Sequence, residues 1–216
     1  MKQLNKLMKL KQIVLKIIID NKIKMTKYKI YLFRHGQTYY NQDKIFTGWK
    51  ESKLTPLGIK QAGIISRKLK NKKIDVAFQT RLSRSKDTLK IVLRLHDECK
   101  KIIIDNRMIE RGYGKLEGKH HDYVIEKYGQ KQFDIWHRSY NLPPPNGESF
   151  KMIEKRVSSF IKDLKRFVKK NKVNVAISAH GNSIRIFRKL WEGKSEKEAV
   201  KWFIPYTKIF EYDVEG

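Results

Sequence analysis

Residues 29–36 read KIYLFRHG, an apolar run of strand type that ends in arginine, histidine and glycine. The ending recurs at 173–181, VNVAISAHG, a run continuous enough in apolar residues to be a central strand. Between the two, strand and helix patterns alternate. LTPLGIKQAGIISRKLKN (54–71) is spaced as a helix, with Thr55 as N-cap and Pro56 at the first helical position. DVAFQT (75–80) reads as a strand, SRSKDTLKIVLRLH (83–96) as a helix and KIIID (101–105) as a third strand; residues 119–138 read as helical. From Phe150, the residues Ile153, Val157, Phe160, Leu164 and Phe167 mark one face of a long helix. Helices near 182–192 and 195–203 follow, and KIFEYD (208–213) is a last, edge strand. This alternation predicts an α/β domain with a largely parallel sheet.

The chain has 216 residues, 40% of them apolar, which suits one folded domain with a substantial core. No internal repeat or inter-domain linker interrupts it. Lys and Arg number 49 against 22 Asp and Glu, a net charge of +27 that attracts anions of every size. The lysines are spread through every segment and form no stripe, so a lysine-rich surface explains them better than a nucleic-acid site, and no specific nucleic-acid partner is expected. Cys99 is the only cysteine, which excludes an intrachain disulfide and fits a reducing compartment, the cytoplasm.

Residues 1–24 stand apart as a basic extension, with seven lysines against one aspartate. Leu4, Leu7, Met8, Val14, Ile17 and Ile18 follow helical spacing. Lys16 breaks the apolar run and no small-residue cleavage site follows, a poor match to a secretory signal. A loosely attached extension is the expected reading, with Met25 as an alternative start. A membrane-surface helix and a targeting peptide fit less well. The folded domain is expected over 25–216.

In parallel α/β sheets, ligands bind beyond the carboxyl ends of the strands. That rim collects His35 and His180, each followed by glycine, with Arg34 beside the first. TRLSRS after the second strand adds Arg81 and Arg84, and RMIERGYG after the third adds Arg107, Glu110 and Arg111. Arginine clamps a dianion through paired hydrogen bonds. A neutral imidazole can attack phosphorus and carry the phosphoryl group. A single carboxylate among the cations can pass the proton to and from a substrate oxygen. The set is complete for phosphoryl transfer without a metal, and no His/Asp cluster with metal-ligand spacing is legible.

RHGQT, FTGW, LTPLGIKQA, TRLSRSKDT, ERGYGKLEG and AHGNS occur in the order found in the histidine phosphatase superfamily. Over about residues 27–213 the chain most resembles the 2,3-bisphosphoglycerate-dependent phosphoglycerate mutase branch. The resemblance implies a three-layer α/β/α fold whose mostly parallel sheet carries an antiparallel edge strand. It implies His35 as the nucleophile that becomes phosphohistidine, Arg34 and Arg84 as the phosphate clamp, His180 as the second histidine and Glu110 as the proton donor and acceptor. Gly36, Gln37, Thr38, Asn41, Thr47, Gly48, Arg111, Tyr113, Gly181 and Asn182 fall at substrate-site positions, and the Gly36 and Gly181 N–H groups would admit oxygens closely. The neighbouring arginines should hold His35 neutral. A small phosphorylated metabolite is the implied substrate, with 2,3-bisphosphoglycerate as priming phosphoryl donor.

The chain departs from that branch where the far end of the substrate would lie. His121 stands in place of a lysine, and WHRSY supplies His137 and Arg138 in place of an arginine pair. Lys119 and His120 are the alternative sources of the missing charge. The loop LPPPNGES and the C-terminal segment are short. These changes leave a metal-independent phosphomonoesterase open beside the mutase, with a non-catalytic polyanion-binding module as the least favoured reading.

Overall fold

The computed structural model describes residues 8–16 and 26–216. The readings that fall on 1–7 and 17–25, including a start at Met25, lie outside the described residues; 8–16 are helical. Among the described residues no helix is long and apolar enough to cross a membrane.

Five strands form one sheet: β1 (Lys27–Arg34), β2 (Val76–Gln79), β3 (Lys101–Ile104), β4 (Val175–Ala179) and β5 (Ile209–Glu215), in the order β3-β2-β4-β1-β5. All neighbours are parallel except β1 and β5, which are antiparallel. β5 is therefore the antiparallel edge, and β4 lies at the centre with all five residues buried.

Beyond the helical 8–16, the helices of the domain are α1 (Tyr39–Gln42), α2 (Pro56–Leu69), α3 (Ser83–Val92), α4 (His121–Tyr128), α5 (Gln130–Arg138), α6 (Phe150–Asn171), α7 (Gly181–Glu192) and α8 (Glu196–Ala199). Successive strand residues point to opposite faces, and β1 shows how the layers form. Ile30 and Leu32 join one cluster with Ile153, Val157, Phe160 and Leu164 of α6 and Ile184 and Phe187 of α7. Tyr31 and Phe33 join another with Ile65 and Leu69 of α2 and Leu89 and Val92 of α3. A one-residue slip of β1 would exchange the two sets, so burial holds the register.

Thr55 caps α2 as its position before Pro56 predicts, accepting from the Gly58 N–H at 3.0 Å. Three expected helices end differently. The stretch 119–138 is two helices, because Gly129 takes φ 80° between α4 and α5. The helix from Ser83 stops at Val92 and continues as a 3₁₀ turn, and the last helix is confined to α8.

Gly36 and Gly58 let the first strand–loop junction pack on the start of α2. A Cβ on Gly36 would lie 2.3 Å from the Gly58 carbonyl oxygen, and one on Gly58 2.1 Å from that of Gln37. Both obstacles are backbone, so the strain of overpacking has no side chain to relieve it. Gly58→Ala is expected to lower unfolding stability by about 1–3 kcal/mol, read as a reduced urea midpoint.

Candidate active site

The register of β1 on β4 builds the centre of the site. Arg34 pairs with Ala179, so His35 and His180 follow side by side as the strands end. The His35 N–H extends the ladder by one bond, donating to the Ala179 carbonyl at 3.0 Å. The two imidazoles are buried, with centroids 5.0 Å apart. Thr80, one residue past β2, lies 2.8 Å from His180 Nε2 through its hydroxyl. The segment after β3 carries Glu110, whose Oε1 accepts from the backbone N–H groups of Arg111 (2.8 Å) and Asn182 (3.1 Å).

His35 and Glu110 open on a cavity of about 240 Å³, whose lining does not include His180 or Thr80. His35 Nδ1 lies 2.7 Å from the Gly36 carbonyl oxygen. A carbonyl only accepts, so Nδ1 carries the proton and Nε2 keeps its lone pair. Burial holds the His35 pKa well below the ordinary range, and the charges of Arg84 and Arg34 add to the effect. Arginine charge alone predicts the same direction, but desolvation is the larger cause. His180 is lowered likewise, by burial first and then by Arg84 and His35.

The guanidiniums of the cavity are held by neutral groups. Arg84 donates to the carbonyls of Gly48 (2.7 Å) and Lys50 (2.9 Å), and burial brings its pKa down to about 10. Arg34 donates to the Ile204 carbonyl at 3.1 Å and lies 4.1 Å from the Tyr206 ring centroid. Arg185 donates to the Trp202 carbonyl and to Asn182 Oδ1. Two arginines outside the cavity are instead paired with carboxylates: Arg107 with Asp105 and Asp163, and Arg156 with Glu148. Carbonyl partners orient a guanidinium without cancelling its charge, which leaves the cavity ready for an anion. Arg34 Nε and His180 Nδ1 are also buried without a partner among the described residues.

The wall away from β1 is aromatic. His121 opens α4 and His137 lies in the last turn of α5, so the hairpin of helices brings their rings to 5.3 Å. Both pack on Phe46, at 4.3 and 5.8 Å between centroids. Burial is the main cause that lowers His121 to about 4 and His137 to about 2, so both are neutral at pH 7.

Of the residues expected in the site, Arg34, His35, Asn41, Thr47, Gly48, Arg84, Glu110, Tyr113, His121, His137, Gly181 and Asn182 line the cavity. Gly36, Gln37, Thr38, Arg111, Arg138 and His180 are not in its lining; His180 is fully buried beside His35. The Gly36 N–H is taken by Thr88 Oγ1 at 3.0 Å, and that of Gln37 by Gln61 Oε1 at 2.8 Å. Thr38 caps α1 through its hydroxyl, which accepts from the Asn41 N–H. Arg111 is buried between the Tyr113 and Phe150 rings and donates to the Trp136 carbonyl. Arg138 donates to the Val200 carbonyl at 3.1 Å. Arg81 and Arg107 are outside the lining too. So are Lys119 and His120: Lys119 lies over the Tyr123 ring, and His120 Nδ1 faces the Asp43 carbonyl oxygen. The lining also includes Tyr40, Lys44, Ile45, Phe46, Arg185, Phe203, Ile204 and Tyr206, which were not expected there. Arg185 alone had a readable signal: three residues past Asn182 on one helix, it shares its face.

His35, Glu110 and His180 present ligand atoms within 4.8 Å of one another, a cluster that sequence spacing does not show. The same three atoms sit in the field of Arg34 and Arg84, which opposes a dication and favours a phosphate-like anion.

The sequence model of the histidine phosphatase superfamily (branch 1) matches residues 30–216. The chain belongs to this superfamily. It is 42% identical over 159 residues to a 2,3-bisphosphoglycerate-dependent phosphoglycerate mutase of Parvibaculum lavamentivorans, covering 71% of this chain and 75% of that one. It is 38% identical over 175 residues to a phosphoglycerate mutase of Schizosaccharomyces pombe, covering 79% and 82%. A putative alpha-ribazole-5'-P phosphatase from Escherichia coli superposes with a TM-score of 0.76 at 23% identity, over 87% of this chain and 91% of that one. A phosphoglycerate mutase from Bacillus anthracis gives 0.72 at 18% identity, over 90% and 91%. At those identities the structural likeness establishes the fold shared across the superfamily, mutases and phosphatases alike.

Holding histidines neutral has a consequence for stability. At pH 7 His35 and His180 are neutral whether folded or unfolded. Below about pH 6.5 the unfolded imidazoles take up protons that the folded ones, with lowered pKa values, do not. Stability should therefore fall on acidification below 6.5, by about 1.4 kcal/mol per pH unit for each such histidine. Urea unfolding at pH 7 and 5.5 reads the slope, and a His35→Asn variant should show a shallower one.

Proposed function

We propose that the chain is a 2,3-bisphosphoglycerate-dependent phosphoglycerate mutase that works through phosphohistidine at His35. The observation that carries this reading is the pairing of a neutral His35, its Nε2 lone pair unengaged by protein, with uncompensated guanidiniums in one cavity. The relatives named as mutases, at 38–42% identity, support the choice of substrate.

On this reading His35 Nε2 attacks a phosphorus of the bisphosphate as the P–O bond to the glycerate oxygen breaks. Arg34 and Arg84 hold the phosphoryl oxygens through the transfer. With the Thr80 hydroxyl donating to His180 Nε2, the proton of His180 resides on Nδ1, a further donor to those oxygens. Glu110 gives a proton to the departing oxygen. In the return step Glu110 takes the proton from the free hydroxyl of an incoming phosphoglycerate, whose oxygen attacks the phosphohistidine, breaking the N–P bond, regenerating the bisphosphate and restoring His35. Tethering Glu110 through Oε1 leaves Oε2 for this exchange. The N-terminus of α7, with Gly181 and Asn182 in the lining, favours negative charge at the same place.

A phosphomonoesterase using the same phosphohistidine is the second reading. It is favoured by the neutral imidazoles at the far wall, which hold a carboxylate less firmly than fixed cations.

Incubation with 3-phosphoglycerate and a trace of 2,3-bisphosphoglycerate separates the two. Formation of 2-phosphoglycerate supports the mutase, and inorganic phosphate alone supports the phosphatase. His35→Ala should lose at least about 10⁴-fold in rate, since a nucleophile and its partners act as a unit. A variant that keeps full activity refutes both readings.

Glu110→Gln tests the proton route. It should slow turnover of phosphoglycerate by about 10²–10⁴-fold, while p-nitrophenyl phosphate, whose leaving group needs no proton, should lose far less. Equal losses on both substrates would remove Glu110 from that role.

A further inference from the structure

Lys44 occupies a backbone conformation that lysine seldom adopts. Its φ is 52°, in the left-handed region that favours glycine and asparagine. Non-glycine residues held there concentrate at functional sites, where the surrounding structure enforces the conformation. Two contacts enforce it here. The Lys44 carbonyl accepts from the His121 N–H at 2.9 Å, and Ile45 forms an isolated bridge with His120. The segment is thereby fastened to the start of α4, and Lys44 becomes part of the cavity lining.

Among the described residues, Lys44 is the cavity-lining cation whose head group has no hydrogen-bond or ion-pair partner. Arg34, Arg84 and Arg185 are each held by at least one carbonyl. Lys44 also stands apart from the phosphoryl end. Its charge acts on His121, together with Arg138, whereas Arg84 and Arg34 are the charges acting on His35. The substrate's second anionic group has to rest against this far wall. There His121 and His137 offer polar ring atoms but no fixed charge at neutral pH.

We propose that Lys44 is the specificity-determining cation of the distal subsite, selecting substrates that carry a carboxylate in addition to the phosphate. The role rests on the phosphoglycerate reading given above and names a residue for its far end. Lys44 forms the ion pair, and the imidazoles and Arg185 border the place where the carboxylate lies. The chain thus recovers at position 44 the charge it lacks at 121 and 137. Asp43, Asp122 and His120 are the other titratable groups near this wall, and none of them lines the cavity.

Binding, measured apart from catalysis, decides the matter. Calorimetric titration of the full chain with 3-phosphoglycerate and with glycerol 3-phosphate compares two phosphates that differ in the carboxylate. The wild-type chain should prefer 3-phosphoglycerate by about tenfold or more, the equivalent of one pKa-sized interaction. Lys44→Asn removes the charge but suits the left-handed backbone. It should fold with an unchanged or higher melting temperature, and its preference should fall to within about threefold. Lys44→Arg should retain most of the preference.

An asparagine variant that keeps the wild-type preference would overturn the proposal. So would a wild-type chain that binds the two ligands equally. Because no turnover is required, a chain that hydrolyses phosphoglycerate without isomerising it still yields a decisive ratio. Failure of the mutase reading would appear in the product assay and not in this one.

Discussion

The parallel pairing of β1 with β4 is the constraint from which the site follows. Hydrogen bonding sets Arg34 opposite Ala179, and the ladder runs one step further to the His35 N–H. Both imidazoles therefore leave the sheet at one level, on adjacent strands, and their separation is a property of the sheet. The register is in turn held by burial on two faces, with Ile30 and Leu32 in one cluster and Tyr31 and Phe33 in the other. The same apolar residues that stabilise the fold thus align the reactive groups, far more stiffly than a pair of loops would.

Placing these histidines at the end of the core also sets their chemistry. Burial disfavours the imidazolium, and the arginines around the cavity act in the same direction. The cost of keeping guanidiniums there is limited by the partners chosen for them. Carbonyl oxygens hold Arg84 and Arg34 while leaving their charge in place, and the carboxylates that neutralise Arg107 and Arg156 lie outside the cavity. Glu110 is the carboxylate admitted to the lining, and two backbone N–H groups anchor it. A cavity so arranged attracts a multiply charged anion and keeps an imidazole unprotonated beside it.

Much of this was legible in the chain because it depends on short-range pattern. Strand type, strand order of use and the His-Gly endings are local, and the sheet rule for ligand position converts them into a shared rim. Residues near a motif were harder to assign. Gly36, Gln37 and Thr38 follow His35 directly, yet their N–H and hydroxyl groups serve Thr88, Gln61 and the cap of α1. The family resemblance points to them as site residues, while the turn uses these groups to hold the loop. Arg111 illustrates the converse: one residue from Glu110, it turns inward between two aromatic rings. Lys44 left no sequence signal, because its place in the cavity depends on a left-handed backbone and a long-range bond to His121. The break at Gly129 that brings His121 to His137 is likewise a backbone event inside what reads as one helical stretch.

The two ends of the cavity differ in stiffness, and on the mutase reading that difference serves the reaction. At the phosphoryl end the guanidiniums are buried and fixed by carbonyls, which suits stabilising a transfer whose geometry must not vary. At the far end an exposed lysine with a flexible stem adds its charge to that of Arg185, beside imidazoles that are neutral at pH 7. On that reading the bisphosphate has to turn between accepting a phosphoryl group from the phosphohistidine at one oxygen and giving the other phosphate to the freed His35. A far wall built from a long side chain and uncharged rings can follow the carboxylate through that rotation. Two rigid guanidiniums in the same place would hold one orientation more tightly and resist the turn. The substitutions at 121 and 137 therefore weaken the grip on a static ligand while leaving the path between its two orientations open.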